Sequence, residues 1–263
     1  YWHFRYDKCN YTLTEDCFAW GRSAYSFVFK GEWGNYPASQ YNIVRRCVAR
    51  RDAHYYAPEG NQWASFVSYN GDNNYFQNCI SIDGHYIYVG TVNPPPHFER
   101  NAFYVANGGS HYSAEGCLSI NDEYGVATFE SGASPVIFRN NACVLSSAVG
   151  TRGIHHRNGS GGDGNAVVIE NCVIVNGKGK DYWDGGIGEG GNARLLSGKN
   201  NIIYNNQYGL INVNGNHSYN VLYNNRSNYK DIGYDIGEVT DKNPMTNGLK
   251  YLVRIETGSY LSG

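Results

Sequence analysis

The chain has 263 residues and is rich in glycine (33) and tyrosine (24), with one methionine and only 17% charged residues. This composition suits short strands and turns better than long helices, so it predicts an all-β protein. The formal net charge of -2 comes without a broad basic surface, which argues against nucleic acid as a partner. No apolar run approaches the roughly 18 residues that span a bilayer, so we expect no membrane span.

The first predicted elements along the chain are short strands marked by cysteine. Residues 1–6 already alternate like a strand. Similar short strands then recur around Cys17, Cys47, Cys79, Cys117, Cys143 and Cys172. Two later copies carry an aliphatic residue instead, at Ile202 and Val221, which makes about eight copies of one repeat.

Two further strands complete each repeat. One begins with glycine, as in Gly153-Ile154-His155 and Gly186-Ile187-Gly188, and is followed by a polar turn. Another leads into the next cysteine position, as in residues 136–140 and 167–171. A repeat of three short strands cannot bury its own apolar face, so the copies must stack in parallel at roughly 4.8 Å.

Stacking places like residues above like. The cysteines then form one interior column of buried thiols, which Ile202 and Val221 continue. For Cys9 and Cys17 alone, a disulfide remains an alternative. The asparagines before the column predict either an amide ladder or left-handed turn positions, and they are Asn78, Asn171, Asn201 and Asn220.

The repeat implies one domain over residues 1–263, which we expect to be part of a longer or processed product. Residues 90–100 contain Pro94, Pro95 and Pro96, which exclude a central strand and predict an inserted loop.

The Asn-Cys-aliphatic repeat resembles the right-handed parallel β-helix families, which include pectate lyases, polygalacturonases, phage tailspikes and many surface proteins. The resemblance implies a single right-handed parallel β-helix, or β-solenoid, of about eight rungs with three short strands per rung. It also implies an extracellular or cell-surface protein. It says little about function, because one fold hosts many functions.

The catalytic sets of the polysaccharide-cleaving members are not found. The chain has Asp83-Gly84-His85 and Arg254-Ile255-Glu256, but it lacks the Asp-Asp pair and the Gly-His-Gly of the polygalacturonases. The clustered aspartates and the Arg-x-Pro-x-x-Arg of the pectate lyases are also missing. We therefore name no catalytic residue, and whether the chain is an enzyme stays open.

One candidate ligand site comes from counting four to seven residues past each cysteine. If the rungs stack in register, this count brings several polar side chains to one edge of the rod. They are Arg51, Asp52, His54, Asp83, His85 and Asp122. Such a set could bind a sugar chain or Ca²⁺. We expect no other cofactor, and we assign none of these residues as a metal ligand. Aspartate and asparagine are also what turns select, so a purely structural role is the alternative.

Two smaller features are also considered. Charged residues around Trp183, including Lys178 and Asp184, lie in a glycine-rich loop that could stack on a sugar or be simply solvated. His155 and His156 follow Ile154, so one is expected to face inward and the other outward.

Three functions from different classes fit this sequence. The first is a structural protein that associates with itself end to end into filaments or a surface layer, because a β-helix ends in unpaired strand edges. The second is an enzyme acting on polysaccharide, and the third is a non-catalytic glycan-binding module. The end-to-end contact is expected to join residues 1–6 to residues 250–255 of a neighbour.

Overall fold

The computed structural model describes residues 2–21, 23–31, 39–51, 63–84, 100–106, 111–129, 136–147, 150–157, 166–179, 184–190, 194–213, 215–232, 237–240 and 243. These residues form short strands and turns, with no helix among them. In particular, none of the described segments is a helix long and apolar enough to cross a membrane. Residues 90–99 and 250–255, on which two of the predictions fall, lie outside the described ranges.

The strands form three parallel sheets. The first sheet contains β1 (Trp2–Asp7), β4 (Tyr25–Lys30), β7 (Trp63–Tyr69), β10 (Arg100–Ala106), β13 (Tyr124–Phe129), β16 (Arg152–Arg157), β19 (Gly185–Gly190), β22 (Tyr208–Ile211) and β25 (Ser227–Lys230). The second contains β2 (Leu13–Glu15), β5 (Ile43–Arg45), β8 (Tyr75–Gln77), β11 (Tyr112–Glu115), β14 (Val136–Arg139), β17 (Ala166–Glu170), β20 (Arg194–Lys199) and β23 (Gly215–Ser218). The third contains β3 (Phe18–Trp20), β6 (Val48–Arg50), β9 (Ile80–Ile82), β12 (Leu118–Ile120), β15 (Ala142–Val144), β18 (Val173–Val175), β21 (Ile202–Tyr204) and β24 (Val221–Tyr223).

Each turn of the chain, or rung, contributes one strand to each sheet in the order first, second, third. Every strand pairs in parallel with its equivalents in the adjacent rungs. Rungs 1 to 8 are complete, and β25 adds a ninth strand to the first sheet. The fold is therefore the predicted parallel β-helix with three short strands per rung.

The corner between the second and third sheets depends on one left-handed residue per rung. These residues have φ between 51 and 67° and are all solvent-exposed. They are Asp16, Arg46, Asn78, Gly116, Asn140, Asn171, Asn200 and Tyr219. Asparagine and glycine tolerate this conformation best, which explains why asparagine occupies four of these eight positions and glycine a fifth.

The cysteine column differs from the prediction at rung 5, where Cys143 is not a member, and at rungs 7 and 8, where Ile202 and Val221 do not continue it. Leu118 pairs with Ala142, so the residue above Cys117 is Asn141, and Cys143 instead stacks on Ser119. Val173 pairs with Ile202, and Ile202 with Val221, so Ile202 and Val221 belong to an outward column. The true column is Cys17, Cys47, Cys79, Cys117, Asn141, Cys172, Asn201 and Asn220.

All seven cysteines are free, and the five at positions 47, 79, 117, 143 and 172 are buried, as predicted. Cys9 and Cys17, which the sequence left open as a disulfide, are partly exposed thiols. Burial raises the pKa of the Cys47 thiol to about 11 and that of Cys172 to about 12, which keeps both protonated at neutral pH.

Asparagine replaces cysteine in this column because its amide can bridge two rungs. Asn201 Oδ1 accepts a hydrogen bond from the Cys172 N–H (2.9 Å), and its Nδ2 donates to the Ile169 carbonyl (3.0 Å). Asn201 Nδ2 also donates to Asn220 Oδ1 (3.0 Å). Both predicted roles for asparagine thus occur, the ladder at Asn201 and Asn220 and the left-handed turn at Asn78 and Asn171.

The corner between the third and first sheets is packed by pairs of complementary size. Along the rod, the first-sheet residues at this corner become smaller, from Ser26 and Ser65 through Ala102 to a run of glycines. The third-sheet residues that face them become larger, from Ala49 to Leu222. The glycines are Gly125, Gly153, Gly186 and Gly209, and they face Cys143, Ile174, Ile203 and Leu222 in turn. A Cβ on Gly153 would lie 2.2 Å from Ile174 Cγ2, so only glycine leaves room for the larger partner.

Candidate functional site

Two of the six residues predicted to form a polar edge, Arg51 and Asp83, stack on adjacent rungs. Arg51 and Asp83 each directly follow a third-sheet strand, and the Arg51 N–H donates to Ile82 O (2.9 Å). The Asp83 N–H in turn donates to the Ile120 carbonyl (3.0 Å). Asp122 lies one residue further along its rung. The other three predicted residues, Asp52, His54 and His85, lie outside the described residues.

Asp122 is fully buried and bonded by the protein itself. Its Oδ1 accepts from the Gly84 N–H (2.6 Å) and from Ser81 Oγ (3.1 Å), and its Oδ2 accepts from Ser119 Oγ (2.7 Å). Desolvation nevertheless raises the pKa of this carboxyl to about 6, against the lowering effects of these donors and of the Arg51 charge. Asp122 is therefore part of the interior and does not face solvent.

Arg51 and Asp83 point to different surroundings. The Arg51 guanidinium is nearly buried and its Nη2 donates to the Ala24 carbonyl (3.1 Å). Asp83 is partly exposed, accepts from Asn121 Nδ2 (2.8 Å) and lies 3.3 Å from Arg50 Nε. The three described members thus share an edge but do not converge on one open site. Among the described residues there is also no group of three or more histidines, cysteines or carboxylates placed to hold a metal ion.

A second polar cluster lies on the outer side of the first sheet and was not predicted. Asn101, Tyr124 and Arg152 stack in register on rungs 4 to 6. Arg152 Nε bonds Asp184 Oδ1 (2.9 Å) in a nearly buried ion pair, and its guanidinium lies 5.4 Å from the Tyr124 ring centre. Asp184 had been assigned to a solvated or sugar-stacking loop, whereas it is 2% exposed and holds this arginine.

Asn101 is the unusual member of this cluster. The residue is 2% exposed, and neither its Oδ1 nor its Nδ2 has a hydrogen-bond partner among the residues that the structure describes. A buried amide without partners costs about 1–3 kcal/mol, so such groups often mark a place where water or a ligand binds. No sequence motif marks this asparagine, and only the register shows that it lies beside Tyr124 and Arg152.

The two adjacent histidines lie on opposite faces of β16, as predicted. His155 stacks above Tyr104 in the outward column, through Ala127, and His156 continues the inward column of Val105. Both are buried, at 3% and 0% exposure. Of the other residues proposed around Trp183, Lys178 is exposed, while Lys180, Asp181 and Trp183 lie outside the described residues.

Exposed apolar side chains concentrate on the first rung. Phe18 and Trp20 are 57% and 63% exposed, and Tyr11 is 79% exposed. The exposed large apolar residues of the described chain are Trp2, Tyr11, Leu13, Phe18 and Trp20 on rung 1, and Tyr41 and Tyr219 elsewhere. The first rung also has two partly exposed core residues, Phe4 and Tyr6. The Phe4 ring stacks on Phe27 of rung 2, and the Tyr6 ring contacts Phe29 at a tilt.

The opposite end of the described rod is closed by polar groups. His217 Nδ1 lies 2.8 Å from Glu238 Oε1, and Tyr229 donates its hydroxyl to Glu238 Oε2 (2.6 Å). Val239 pairs with Val221, and its carbonyl accepts from the Leu222 N–H (2.8 Å). Within the described residues the two ends therefore differ in chemistry, since rung 1 exposes apolar side chains and rung 8 is partly covered by polar groups.

Comparison with known proteins finds no matching family model, no similar curated protein and no similar solved structure. The parallel β-helix architecture is consequently established by the strand topology alone.

Proposed function

We propose that this chain is a structural β-solenoid that associates with copies of itself end to end through its first rung. The observation that carries this proposal is the partial exposure of two core residues of rung 1, Phe4 and Tyr6, whose rings contact Phe27 and Phe29 of rung 2. Isolated exposed apolar residues are ordinary, but a group at the end of a stacked core exposes the core cross-section itself. Burying that cross-section favours association.

The backbone of rung 1 supports the same contact. The Thr12 carbonyl and the Asp16 N–H bond rung 2, so the N–H groups of Leu13 and Glu15 between them point to the other side. In the third sheet, the Cys17 carbonyl and the Gly21 N–H also bond rung 2. Within the described chain nothing pairs with the far edge of these strands, which leaves a template for another strand.

The complementary surface is the last strand of the first sheet. Among the described strands β25 pairs with β22 only, and all four of its residues are partly exposed. A second copy that adds its β1 beyond β25 would continue the parallel sheet and place Phe4 above Tyr229 in the inward column. Such a head-to-tail contact uses two different surfaces and repeats into a filament. The extracellular or surface location remains a prediction alongside it.

The test removes one edge N–H without touching the ladder to rung 2. Leu13→Pro deletes a donor that faces away from rung 2, and Leu13→Thr is the matched control that keeps the N–H and loses the leucine side chain. Wild type is expected to form rods that lengthen with concentration in light scattering and negative-stain images, and Leu13→Pro to shorten them markedly. A folded Leu13→Pro variant that assembles like Leu13→Thr would contradict the proposal, as would a wild type that stays monomeric.

A glycan-binding module is the second candidate, and the unsatisfied amide of Asn101 favours it. An amide, an aromatic ring and an already paired Arg152–Asp184 ion pair suit a neutral polyhydroxylated ligand better than a charged one. Asn101→Ala is expected to abolish heat of binding to soluble neutral glycans in calorimetry, and to leave thermal stability unchanged or higher. Binding that survives the substitution would rule out this site.

A further inference from the structure

The outer face of the third sheet is a flat apolar strip that runs the length of the rod. Its strands alternate, so that the middle residue of each faces the core and the two flanking residues face outward. One outward column is Phe18, Val48, Ile80, Leu118, Ala142, Val173, Ile202 and Val221. The other is Trp20, Arg50, Ile82, Ile120, Val144, Val175, Tyr204 and Tyr223.

This strip retains solvent exposure along its length. Only Ala142, Val175 and Val221 of these positions are buried. Tyr204 and Tyr223 stack on each other with ring centres 6.1 Å apart, which keeps that end of the strip flat.

The strip differs from the other two outer faces. The second sheet carries a column of charged and polar residues, in which Glu15 pairs with Arg45 and Glu170 with Arg139. The first sheet is covered at its middle, where Val67 and Tyr104 are buried. The third sheet has one charged residue among its sixteen outward positions, Arg50, and Asp83 already neutralises it.

We propose that this strip packs side by side against the same strip of a second copy. A nearly uncharged surface offers nothing to a nucleic acid or an anionic membrane, whereas a second copy presents an equally flat and equally apolar face. The two copies also share the rung spacing, so the columns of one can fit between the columns of the other over eight rungs. Two such sheets pack about 10 Å apart in protein cores.

The size of the strip sets the strength of this contact. Eight rungs span about 34 Å, and the strip with its flanking turn residues is about 16 Å wide, which gives roughly 1,100 Å² over both copies. This area is at the low end of specific interfaces, so the dimer is weak by itself. The exposed turn asparagines Asn78, Asn140, Asn171 and Asn200 along one border supply a polar rim of amides.

The experiment measures the side-by-side contact apart from the end contact. In the Leu13→Pro background, which weakens the end contact, and at concentrations where light scattering detects no rods, sedimentation equilibrium is expected to show a monomer–dimer equilibrium. Val173→Lys with Ile202→Lys introduces two stacked lysines on the strip and is expected to raise the dissociation constant at least tenfold. Ile137→Lys with Val168→Lys is the matched control, because these two residues stack in register on the outer face of the second sheet.

Two outcomes overturn the proposal. The first is a monomer at every concentration up to roughly 1 mM, where even weak specific contacts are populated; this is also the result expected if the strip serves a glycan or another protein. The second is an equal loss of dimer in the control pair. Failure of the end contact is separate, since it would leave the wild type forming dimers but no long rods.

Discussion

Asp122→Asn tests whether a buried carboxylate destabilises the middle of the rod. Asp122 lies inside rung 4, where loss of solvent raises its pKa from the ordinary 3.8 to about 6. The folded protein therefore binds this proton more tightly than the unfolded chain does. The contribution of Asp122 to stability falls as the pH rises from about 3.8 to about 6, and it stays at its lowest value above that range.

The size of the effect follows from the shift. A difference of about two pH units at 1.36 kcal/mol per unit corresponds to about 3 kcal/mol at pH 7. Asparagine fits the position, because Asn206 occupies the equivalent place on rung 7. Asn206 Oδ1 accepts from the Gly177 N–H (2.6 Å), and its Nδ2 donates to the Ile174 carbonyl (3.2 Å). The same bonds are open to an asparagine at 122, through the Gly84 N–H and the Ser81 carbonyl.

Urea unfolding of wild type and Asp122→Asn between pH 4 and pH 8, followed by tryptophan fluorescence, measures this difference. The variant is expected to match the wild type near pH 4 and to exceed its free energy of unfolding by up to about 3 kcal/mol at pH 7. Asp83→Asn, at the partly exposed neighbouring position, is the control and is expected to change stability by at most about 1 kcal/mol. A variant less stable than wild type at pH 7, or a difference that does not grow between pH 4 and pH 6.5, would refute the reasoning.

Three further predictions concern the core. Gly186→Ala should lower the free energy of unfolding by about 1–3 kcal/mol, because its Cβ would lie 2.3 Å from Ile203 Cγ2 and 2.5 Å from the Gly209 carbonyl oxygen. Gly188→Ala is the control. No atom lies nearer than 3.7 Å to a Cβ at that position, so the thermal midpoint should stay nearly unchanged. Asn201→Ala should cost about 2 kcal/mol or more in denaturant unfolding, since the buried Cys172 N–H loses its acceptor, and an unaltered midpoint would contradict the ladder. Iodoacetamide at pH 8 should label Cys9 and Cys17 in the native protein and all seven cysteines after denaturation without reductant; a cysteine that mass spectrometry finds in a disulfide would be inconsistent with the thiol column.

The sequence predicted the three-strand rung because strand-forming residues and turn residues recur together. It misplaced Cys143 for a physical reason. The third sheet is apolar on both faces, so Ile202 and Ile203 are equally plausible core residues and alternation cannot fix which one points inward. Cysteine and asparagine also share a column although they share little chemistry, because each occupies a narrow interior position next to a backbone N–H.

The polar residues were harder to interpret from sequence. Counting from the cysteines correctly stacked Arg51 with Asp83, since that part of each rung has a constant length. It could not show that Asp122 turns inward while Asp83 stays outside, because one residue of offset reverses the face. Asn101, Tyr124 and Arg152 went unnoticed since their separations along the chain are irregular, and only the pairing of first-sheet strands brings them together.

The paired sizes at the corner between the third and first sheets have a consequence for how this rod can change length. Rung 3 joins Ser65 to Ser81 by a hydroxyl contact of 2.7 Å, whereas rung 6 seats Ile174 against the bare backbone of Gly153. A duplicated rung therefore fits next to the rung from which it was copied. At a distant position along the rod, its corner residues would meet neighbours of the wrong size, so that two large or two small residues would face each other. Growth by tandem copying of neighbours is permitted, and shuffling of rungs along the rod is not.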